Sequence, residues 1–328
     1  MIRIGTVGTG FIVDNFFDAV SRVPDMEVTC VYSRDKEKAR GFAKKHGVTK
    51  YSCDKDAFLS DEALDIIYVA SPNSLHFEWS RDALRAGRSV ICEKPFVPTL
   101  RELETLVSLA RERELFLFEA ITVPHLPNYK LLREHLGALG SLRLVQMNFS
   151  QYSSRYKAFV DGKNPNVFNS EFAGGALMDI NYYNLYFALC LFGEPLDIRY
   201  LANTAANGID TSGVLTLRYD GFVCEAVGAK DSRSENFVQL QGDAGYIYLP
   251  HESSRCLSFD VHTAAGEAHY NAQTDENALY YELCDFADIY LSRDYLRLDE
   301  LFENSLLATR MTERARRGAG ILFPSDGR

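Results

Sequence analysis

The first 120 residues alternate between short apolar runs and amphipathic segments, and this alternation restricts the fold more than any other feature. Buried parallel strands are predicted for the apolar runs at residues 2–7, 27–32, 65–71, 88–93 and 115–120. Helices are predicted for residues 37–47, 73–87 and 99–114. Strands alternating with helices of this length indicate an α/β fold, with a parallel sheet covered on both faces and ligands at the carboxyl ends of its strands.

Length and composition agree with a folded chain of two domains. The chain has 328 residues, of which 46% are hydrophobic, and no run of apolar residues is long enough to span a membrane. Its net charge of -10 argues against a nucleic-acid partner. The seven cysteines are scattered without a close pair, and the N-terminus enters a strand without a signal peptide. We therefore expect a cytoplasmic protein that contacts neither nucleic acid nor membrane.

The turn after the first predicted strand has the spacing of a dinucleotide-binding loop. Gly8 and Gly10 follow the strand directly and precede a helix, so backbone amides at the helix N-terminus can hold a pyrophosphate. The third position of the fingerprint is Val13 instead of glycine or alanine, which is a departure from it. The predicted cofactor contacts in this turn are Gly8, Thr9, Gly10, Phe11 and Ile12.

The end of the second strand indicates which dinucleotide binds. An acidic residue at this place would bind the ribose 2′-hydroxyl, whereas an arginine suits a 2′-phosphate. The sequence has Ser33, Arg34 and Asp35 in succession, and residues 34–50 contain seven basic side chains against two acidic ones. We predict NADP, bound through Ser33, Arg34 and Lys38. Asp35 leaves NAD as the alternative.

A charged pair, Glu93 and Lys94, stands at the end of the strand in "VICEKPF" and is followed by Pro95. Adjacent strand residues point to opposite faces, so the two side chains cannot simply pair with each other. A lysine partly withdrawn from water has a lowered pKa and can assist a hydroxyl that becomes a carbonyl. The end of the strand thus sets the direction of the Lys94 side chain. Pro95 is compatible with a cis peptide bond.

Together with "GTGFI", "YSRDKEKARGFAKKHG", "ASPNSLHFEWSRDALRAG" and "GGALMDINYY", this motif resembles the Gfo/Idh/MocA family of NAD(P)-dependent oxidoreductases over both halves of the chain. The resemblance is closest to the branch of dimeric dihydrodiol dehydrogenases and glucose-fructose oxidoreductase. It implies an N-terminal Rossmann domain over residues 1–120. Residues 121–328 would then form a C-terminal α+β domain for substrate binding and oligomerisation, whose last helix could pack back on the first domain.

The resemblance also implies roles for individual residues. Lys94 would reach toward the reacting carbon, Asp179 would be the active-site acid, and Tyr183 would exchange the proton at a position where the family commonly has histidine. Asp179 and Tyr183 are four residues apart, so a helix would place them on one face. Asn181 stands where glycine is common, and we assign it with Arg155 to the substrate. The further cofactor contacts are Ser71, Pro72, Asn73, His76, Glu93 and Lys94.

After about Ile121 the pattern changes to strands in hairpin order, with Asp220 and Gly221 as a strong turn signal. This predicts a large, open, mainly antiparallel sheet with one face on the helix after Asp179. The other face needs cover. We expect a second copy of the chain to cover it through Val214, Leu215, Leu217 and Tyr219, which gives a homodimer or homotetramer.

The expected activity is hydride transfer between NADP and a carbinol carbon of a sugar, polyol or diol, and no metal is expected because no histidine pair has ligand spacing. Two alternatives stay open. The protein could be a noncatalytic dinucleotide sensor, because fold alone does not fix function. It could also keep NAD(H) bound for an internal redox cycle that eliminates or hydrolyses glycosides.

Overall fold

The structure is a computed structural model that describes residues 1–327. Two compact units account for the chain: the first comprises Met1–Ile121 and Asn277–Leu306, and the second comprises Thr122–Glu276 and the residues from Leu307 onward. The sequence analysis placed one boundary after residue 120. The structure differs from that division in residues 277–306, which return to the first unit.

The helices and strands follow one another along the chain in this order. The first part contains β1 (Ile2–Val7), α1 (Phe11–Val20), β2 (Met26–Tyr32), α2 (Lys36–Lys45), β3 (Lys50–Ser52), α3 (Lys55–Leu59), β4 (Ile66–Val69), α4 (His76–Arg85), β5 (Ser89–Glu93), α5 (Leu100–Glu112) and β6 (Leu117–Ala120). The middle part contains α6 (Pro127–His135), β7 (Leu142–Ser150), α7 (Tyr156–Val160), α8 (Tyr182–Phe192), β8 (Asp197–Thr204), β9 (Asp210–Arg218), β10 (Val223–Ala229), β11 (Phe237–Gly242), β12 (Gly245–Leu249), β13 (Phe259–Thr263) and β14 (Gly266–Tyr270). The chain ends with α9 (Leu279–Ser292) and α10 (Tyr295–Gly318).

The first unit is built on a six-stranded sheet with the order β3-β2-β1-β4-β5-β6, in which every pair is parallel. This is the doubly wound order in which ligands bind at the carboxyl ends of the strands. Its central strands β4 and β5 are buried along their whole length because helices cover both faces. The ends of β1, β2, β4 and β5 therefore lie at one edge of the sheet, and the predicted cofactor residues follow these ends.

Helix α9 completes the core of the first unit. Its residues Leu283 and Phe286 are fully buried, and Phe286 stacks on Phe118 of β6 with ring centroids 4.5 Å apart. Helix α10 begins in the first unit and continues into the second. Among residues 1–327, no helix combines the length and the apolar character that crossing a membrane requires.

The second unit is built on an eight-stranded sheet with the order β14-β13-β12-β11-β7-β10-β9-β8. Neighbouring strands of this sheet are antiparallel, as the sequence predicts, with one exception. Strands β7 and β10 run parallel. Helix α8 packs on β7 and β10, as the sequence predicts for the helix after Asp179. One face of the sheet is thus covered by helices of the same unit.

The residues predicted to form the open face of this sheet lie mostly on the covered one. Leu215, Leu217 and Tyr219 are buried, whereas Val214 is half-buried on the opposite face. This part of the prediction is wrong because successive residues of a strand point to opposite faces, so Val214 and Leu215 cannot share one. The open face at this strand instead carries Val214, Thr216 and Arg218.

Candidate functional site

The turn after β1 is shaped for close approach of a ligand to the backbone. Gly8 has a φ of +120°, and a Cβ there would lie 2.7 Å from the carbonyl oxygen of Ala70, so no other residue fits. Gly10 is the N-cap of α1, a Cβ there would meet open space, and no side chain caps the helix. The first amides of α1, on Phe11 and Ile12, therefore face a place where an anion can bind.

The predicted cofactor residues from three loops line one cavity in the first unit. Its volume is about 160 Å³, and it is lined by Gly8, Ser33, Arg34, Ser71 and Pro72 together with apolar neighbours. These residues follow β1, β2 and β4, whose carboxyl ends lie side by side. Thr9, Lys38 and Asn73 lie in the same three segments without lining it.

The residues at the end of β2 favour a phosphate over a free ribose hydroxyl. Asp35, which left NAD as an alternative, is the N-cap of α2, and its carboxylate accepts hydrogen bonds from the amides of Glu37 and Lys38 at 3.0 and 3.1 Å. Arg34 is exposed at the cavity. The amides at the start of α1 and the guanidinium of Arg34 are the groups at this edge of the sheet that could hold a pyrophosphate and a 2′-phosphate.

Two other basic residues between residues 34 and 50 form surface ion pairs. Lys45 contacts Asp14 and Lys50 contacts Asp61, each at 2.5 Å. Such exposed pairs contribute little to stability. Among the seven basic residues between residues 34 and 50, Arg34 is the one that lines the cavity after β2.

Glu93 lies inside the first unit beside Tyr68. The hydroxyl of Tyr68 donates a hydrogen bond to Oε1 of Glu93 at 2.5 Å, and both side chains are buried. Burial raises the pKa of Glu93 to about 7, against the lowering effects of the Tyr68 bond and the Lys94 charge. The peptide bond between Lys94 and Pro95 is cis. Glu93, predicted to contact cofactor, thus has a partner within the protein.

His76 joins the loop after β4 to the loop after β5. Its Nδ1 lies 3.0 Å from the carbonyl oxygen of Pro95 and 3.1 Å from that of Phe96, and its Nε2 lies 2.9 Å from that of Ser71. The side chain is 1% exposed, and this burial lowers its pKa. His76 was predicted to bind the cofactor. Its burial instead favours a role in holding the loops after β4 and β5 in place.

A second, larger cavity lies wholly within the second unit and contains Asp179. Its volume is about 670 Å³, and its lining is polar, with Asp179, Lys230, Arg155 and Asn166 among the lining residues. The ammonium of Lys230 donates to Oδ2 of Asp179. The Lys230 side chain is 6% exposed and that of Asp179 is 35% exposed. Asp179, the predicted acid, and Arg155, a predicted substrate residue, thus line the same cavity.

Lys230 is the residue of this cavity that the sequence analysis missed. It stands directly after the apolar strand β10, as Lys94 stands after β5. A lysine at the end of a buried strand is the signal that could have found it. The signal was weak because an isolated lysine after a hairpin strand is normally exposed.

Asp179 does not stand on an α-helix. Residues Leu177–Asn181 form a π-helical turn, and α8 begins only at Tyr182. The π turn closes its hydrogen bonds over five residues, so the α-helical spacing used to relate Asp179 to Tyr183 does not hold across it. Tyr183 is half-buried in the first turn of α8, with its ring 6.2 Å from that of Phe149.

Asp210 holds the start of this π turn. It is 1% exposed, and its Oδ2 accepts hydrogen bonds from the amide of Leu177 and the hydroxyl of Tyr200, both at 2.7 Å. At Gly175, with a φ of +112°, a Cβ would lie 2.0 Å from Oδ1 of Asp210. The absence of a side chain at Gly175 thus lets a buried carboxylate reach the backbone of the turn.

Asn181, predicted to contact substrate, is fully buried. Its amide nitrogen donates to the carbonyl oxygen of Ala226 at 3.0 Å, and its amide oxygen accepts from Asn184 at 3.0 Å. A Cβ on Gly228 would lie 2.5 Å from the Cβ of Asn181. This placement favours a role in fastening the π turn to β10 over contact with a substrate.

Comparisons with known proteins identify relatives along the whole chain. The chain is 34% identical to scyllo-inositol 2-dehydrogenase (NADP(+)) IolU of Bacillus subtilis, and the match covers 99% of both. It is 28% identical to trans-1,2-dihydrobenzene-1,2-diol dehydrogenase of Sus scrofa, again over 99% of both. The crystal structure of KijD10, a 3-ketoreductase from Actinomadura kijaniata, in complex with NADP and TDP-benzene, has a TM-score of 0.84 at 24% identity over 97% of both chains. This last likeness concerns the fold.

Two family models match successive parts of the chain. Residues 2–120 match the oxidoreductase family with an NAD-binding Rossmann fold, and residues 131–248 match the Gfo/Idh/MocA C-terminal domain. The first match contains the glycine turn and the cavity at β2, and the second contains Asp179 and Lys230. The chain belongs to the Gfo/Idh/MocA family of oxidoreductases.

Proposed function

We propose that the protein transfers hydride between NADP and a carbinol carbon of a sugar, polyol or diol. The observation that carries this proposal is the polar cavity in which Asp179 and Lys230 contact each other, because charged groups that line a cavity of this size suit a substrate rich in hydroxyl groups. Relatives named as dehydrogenases of an inositol and of a dihydrodiol support the same substrate class.

NADP is the proposed cofactor because Arg34 lines the cavity at β2 while the carboxylate of Asp35 is engaged by α2. An NADP-dependent relative supports this choice. When bound, the nicotinamide supplies the acceptor or donor of the hydride. The residues of the chain then have to hold the substrate and move one proton.

Three side chains carry the proposed chemistry. The substrate hydroxyl gives its proton to the phenolic oxygen of Tyr183 as the Tyr183 hydroxyl releases its own proton to water, and the amine of Lys94 stabilises the alkoxide that develops there. Asp179 accepts a hydrogen bond from a substrate hydroxyl and so holds the substrate. Arg155, which lines the same cavity, is the proposed contact to a more distant hydroxyl. The proposed chemistry requires no metal.

The experiment is a panel of sugars, inositols and diols offered to the protein with NADP⁺, with formation of NADPH followed by its absorbance. On the best substrate, Lys94→Met and Tyr183→Phe should each lower turnover by about two to four orders of magnitude, the range for positioned acid-base groups. Affinity for NADPH should stay nearly unchanged. Wild-type turnover in both variants would refute these roles, whereas no turnover with any member of the panel would favour a noncatalytic dinucleotide sensor.

We also propose that the protein assembles as a homodimer or homotetramer through the open face of the eight-stranded sheet. That face exposes apolar side chains, among them Leu201, which is 74% exposed and pairs in register with Val214. A large apolar side chain exposed on a sheet face that the same unit does not cover favours an interface there. Light scattering should show at least two subunits, and Leu201→Asp should shift the protein toward monomers. A wild-type monomer with full activity would refute the assembly.

A cytoplasmic location completes the proposal. All seven cysteines are free thiols in the structure, and scattered thiols are typical of proteins from reducing compartments. Localisation of a tagged full-length chain by microscopy or fractionation tests it, and recovery outside the cytoplasm would refute it.

A further inference from the structure

Lys230 is held rigidly at the wall of the larger cavity. Its amide donates to the carbonyl oxygen of Thr211 at 2.8 Å, and its own carbonyl oxygen accepts from the amide of Ser153 at 2.9 Å. These two bonds fix its backbone from both sides. The side chain is nearly buried, yet it lines the cavity beside Asp179.

The ammonium of Lys230 has donors to spare. An ammonium carries three N–H donors, and Asp179 is the acceptor that the structure provides for it among residues 1–327. Withdrawing an ammonium from water is costly, and a buried ion pair is weak evidence for stability. A charged pair at the wall of a polar cavity is therefore explained better by a ligand that it binds.

The pair offers two kinds of hydrogen-bonding group side by side. The carboxylate of Asp179 accepts from a hydroxyl, whereas the ammonium of Lys230 donates to the oxygen of a hydroxyl. Two hydroxyl groups on adjacent carbons can satisfy both groups at once. A lone hydroxyl bound to Asp179 leaves the spare N–H donors of Lys230 without an acceptor in a partly dehydrated site, which is costly.

We propose that Lys230 is a specificity-determining residue, which together with Asp179 selects substrates that carry a second hydroxyl on the carbon next to the reacting carbinol. This inference rests on the proposed function and narrows its substrate class to vicinal diols. A hydrogen bond from a charged donor contributes about 1.5–3 kcal/mol, which corresponds to a preference of roughly 10- to 100-fold.

The test uses two matched probes, trans-1,2-cyclohexanediol and cyclohexanol, with the full-length protein and NADP⁺. The wild-type protein should prefer the diol in kcat/KM by roughly 10- to 100-fold, and Lys230→Met should reduce that ratio to near one. The change should appear mainly in the KM for the diol. Lys230→Arg keeps a charged donor and should retain most of the preference.

Lys157→Met is the matched control, because Lys157 forms an exposed ion pair with Asp161 at 2.8 Å. It should leave the ratio unchanged. Thermal unfolding and NADPH binding show whether each variant is folded, and Lys230→Gln replaces Lys230→Met if the latter is not. Turnover with an unchanged diol preference in the folded variant overturns the inference alone. No turnover with any member of the polyol and diol panel overturns the proposed function and the inference with it.

Discussion

Tyr68 donates a hydrogen bond of 2.5 Å to Glu93 in the interior of the first unit, directly before Lys94 in the chain. The ring of Tyr68 is itself held by stacking on Phe16, with centroids 3.7 Å apart. Burial raises the pKa of Glu93 to about 7, and the bond from Tyr68 opposes this rise. Tyr68 therefore influences what fraction of Glu93, the residue before Lys94, is ionised at neutral pH.

We predict that Tyr68→Phe raises the pKa of Glu93 further, because the carboxylate loses a hydrogen-bond donor while its burial is kept. Loss of the bond should also lower the free energy of unfolding by about 1–3 kcal/mol. NMR of the Glu93 carboxyl carbon across the pH range measures the first effect, and urea denaturation measures the second.

Tyr51→Phe is the matched control for that variant, because Tyr51 is half-buried on β3 of the same sheet. It should leave both quantities unchanged. An unaltered titration of Glu93 in Tyr68→Phe would show that the bond does not determine the ionisation of this carboxyl.

Glu282 is a second buried acid of the first unit. It is fully buried on α9, and neither carboxyl oxygen has a hydrogen-bond partner among residues 1–327. Burial raises its pKa well above the ordinary 4.5, and the charges of Glu93 and Glu119 raise it further. Stability that depends on this group is therefore fully present below pH 4.5 and decreases as the pH rises above it.

We predict that Glu282→Met stabilises the protein at pH 8, because it replaces an unpartnered acid with an apolar side chain of similar length. The gain in the free energy of unfolding should be about 1–3 kcal/mol at pH 8 and smaller at pH 4.5. Urea denaturation at the two pH values measures it.

Glu119→Met provides the contrast. Glu119 accepts hydrogen bonds from the amide of Phe96 at 3.1 Å and the hydroxyl of Ser305 at 2.7 Å, so its removal should destabilise the protein. A loss of stability in Glu282→Met at pH 8 would mean that the Glu282 carboxyl makes favourable interactions there.

We predict that His76→Phe weakens binding of NADPH and lowers turnover together. The variant keeps an aromatic ring but loses both ring nitrogens, Nε2 beside the carbonyl oxygen of Ser71 and Nδ1 beside that of Pro95. The neutral ring donates to one of these loops, and leaving the carbonyl group there without its donor costs about 1–3 kcal/mol, which corresponds to roughly 5- to 100-fold weaker binding. Fluorescence titration with NADPH and steady-state kinetics measure the two effects.

His269→Phe is the control for His76→Phe. His269 is exposed, and both it and the residue that its ring contacts, Asp260, belong to the second unit. Unchanged NADPH affinity in His76→Phe, with the melting temperature as the sole change, would assign His76 to stability alone.

We predict that Arg34→Ala weakens binding of NADPH by roughly 10- to 100-fold and leaves binding of NADH nearly unchanged, because the lost contact is to the 2′-phosphate. Titration of both dinucleotides measures the difference. Arg40→Ala is the control, since Arg40 pairs with Glu37 on the same helix. Equal affinity of the intact protein for the two dinucleotides would contradict the proposed preference for NADP.

The glycine turn and the strand ends were predictable from the sequence because they depend on local patterns. Apolar runs alternating with helical spacing predict parallel strands, and their carboxyl ends share one edge by topology. This logic predicted that Gly8 and Arg34, which line one cavity, and Lys94, which follows β5, lie at that edge. It also gave the correct class of the second sheet, although not its parallel pair of β7 and β10.

The sequence by itself therefore determined the fold class and which residues follow the strand ends, since these depend on periodicity and turn chemistry. Tertiary structure alone decided that Lys230 contacts Asp179 and that Asp210 holds the π turn, since these pairs lie 51 and 33 residues apart. It also decided that Asn181 is buried and that Leu215 lies on the covered face of the eight-stranded sheet. Contacts of this kind depend on which surfaces meet when strands and helices pack, and no local pattern encodes that choice.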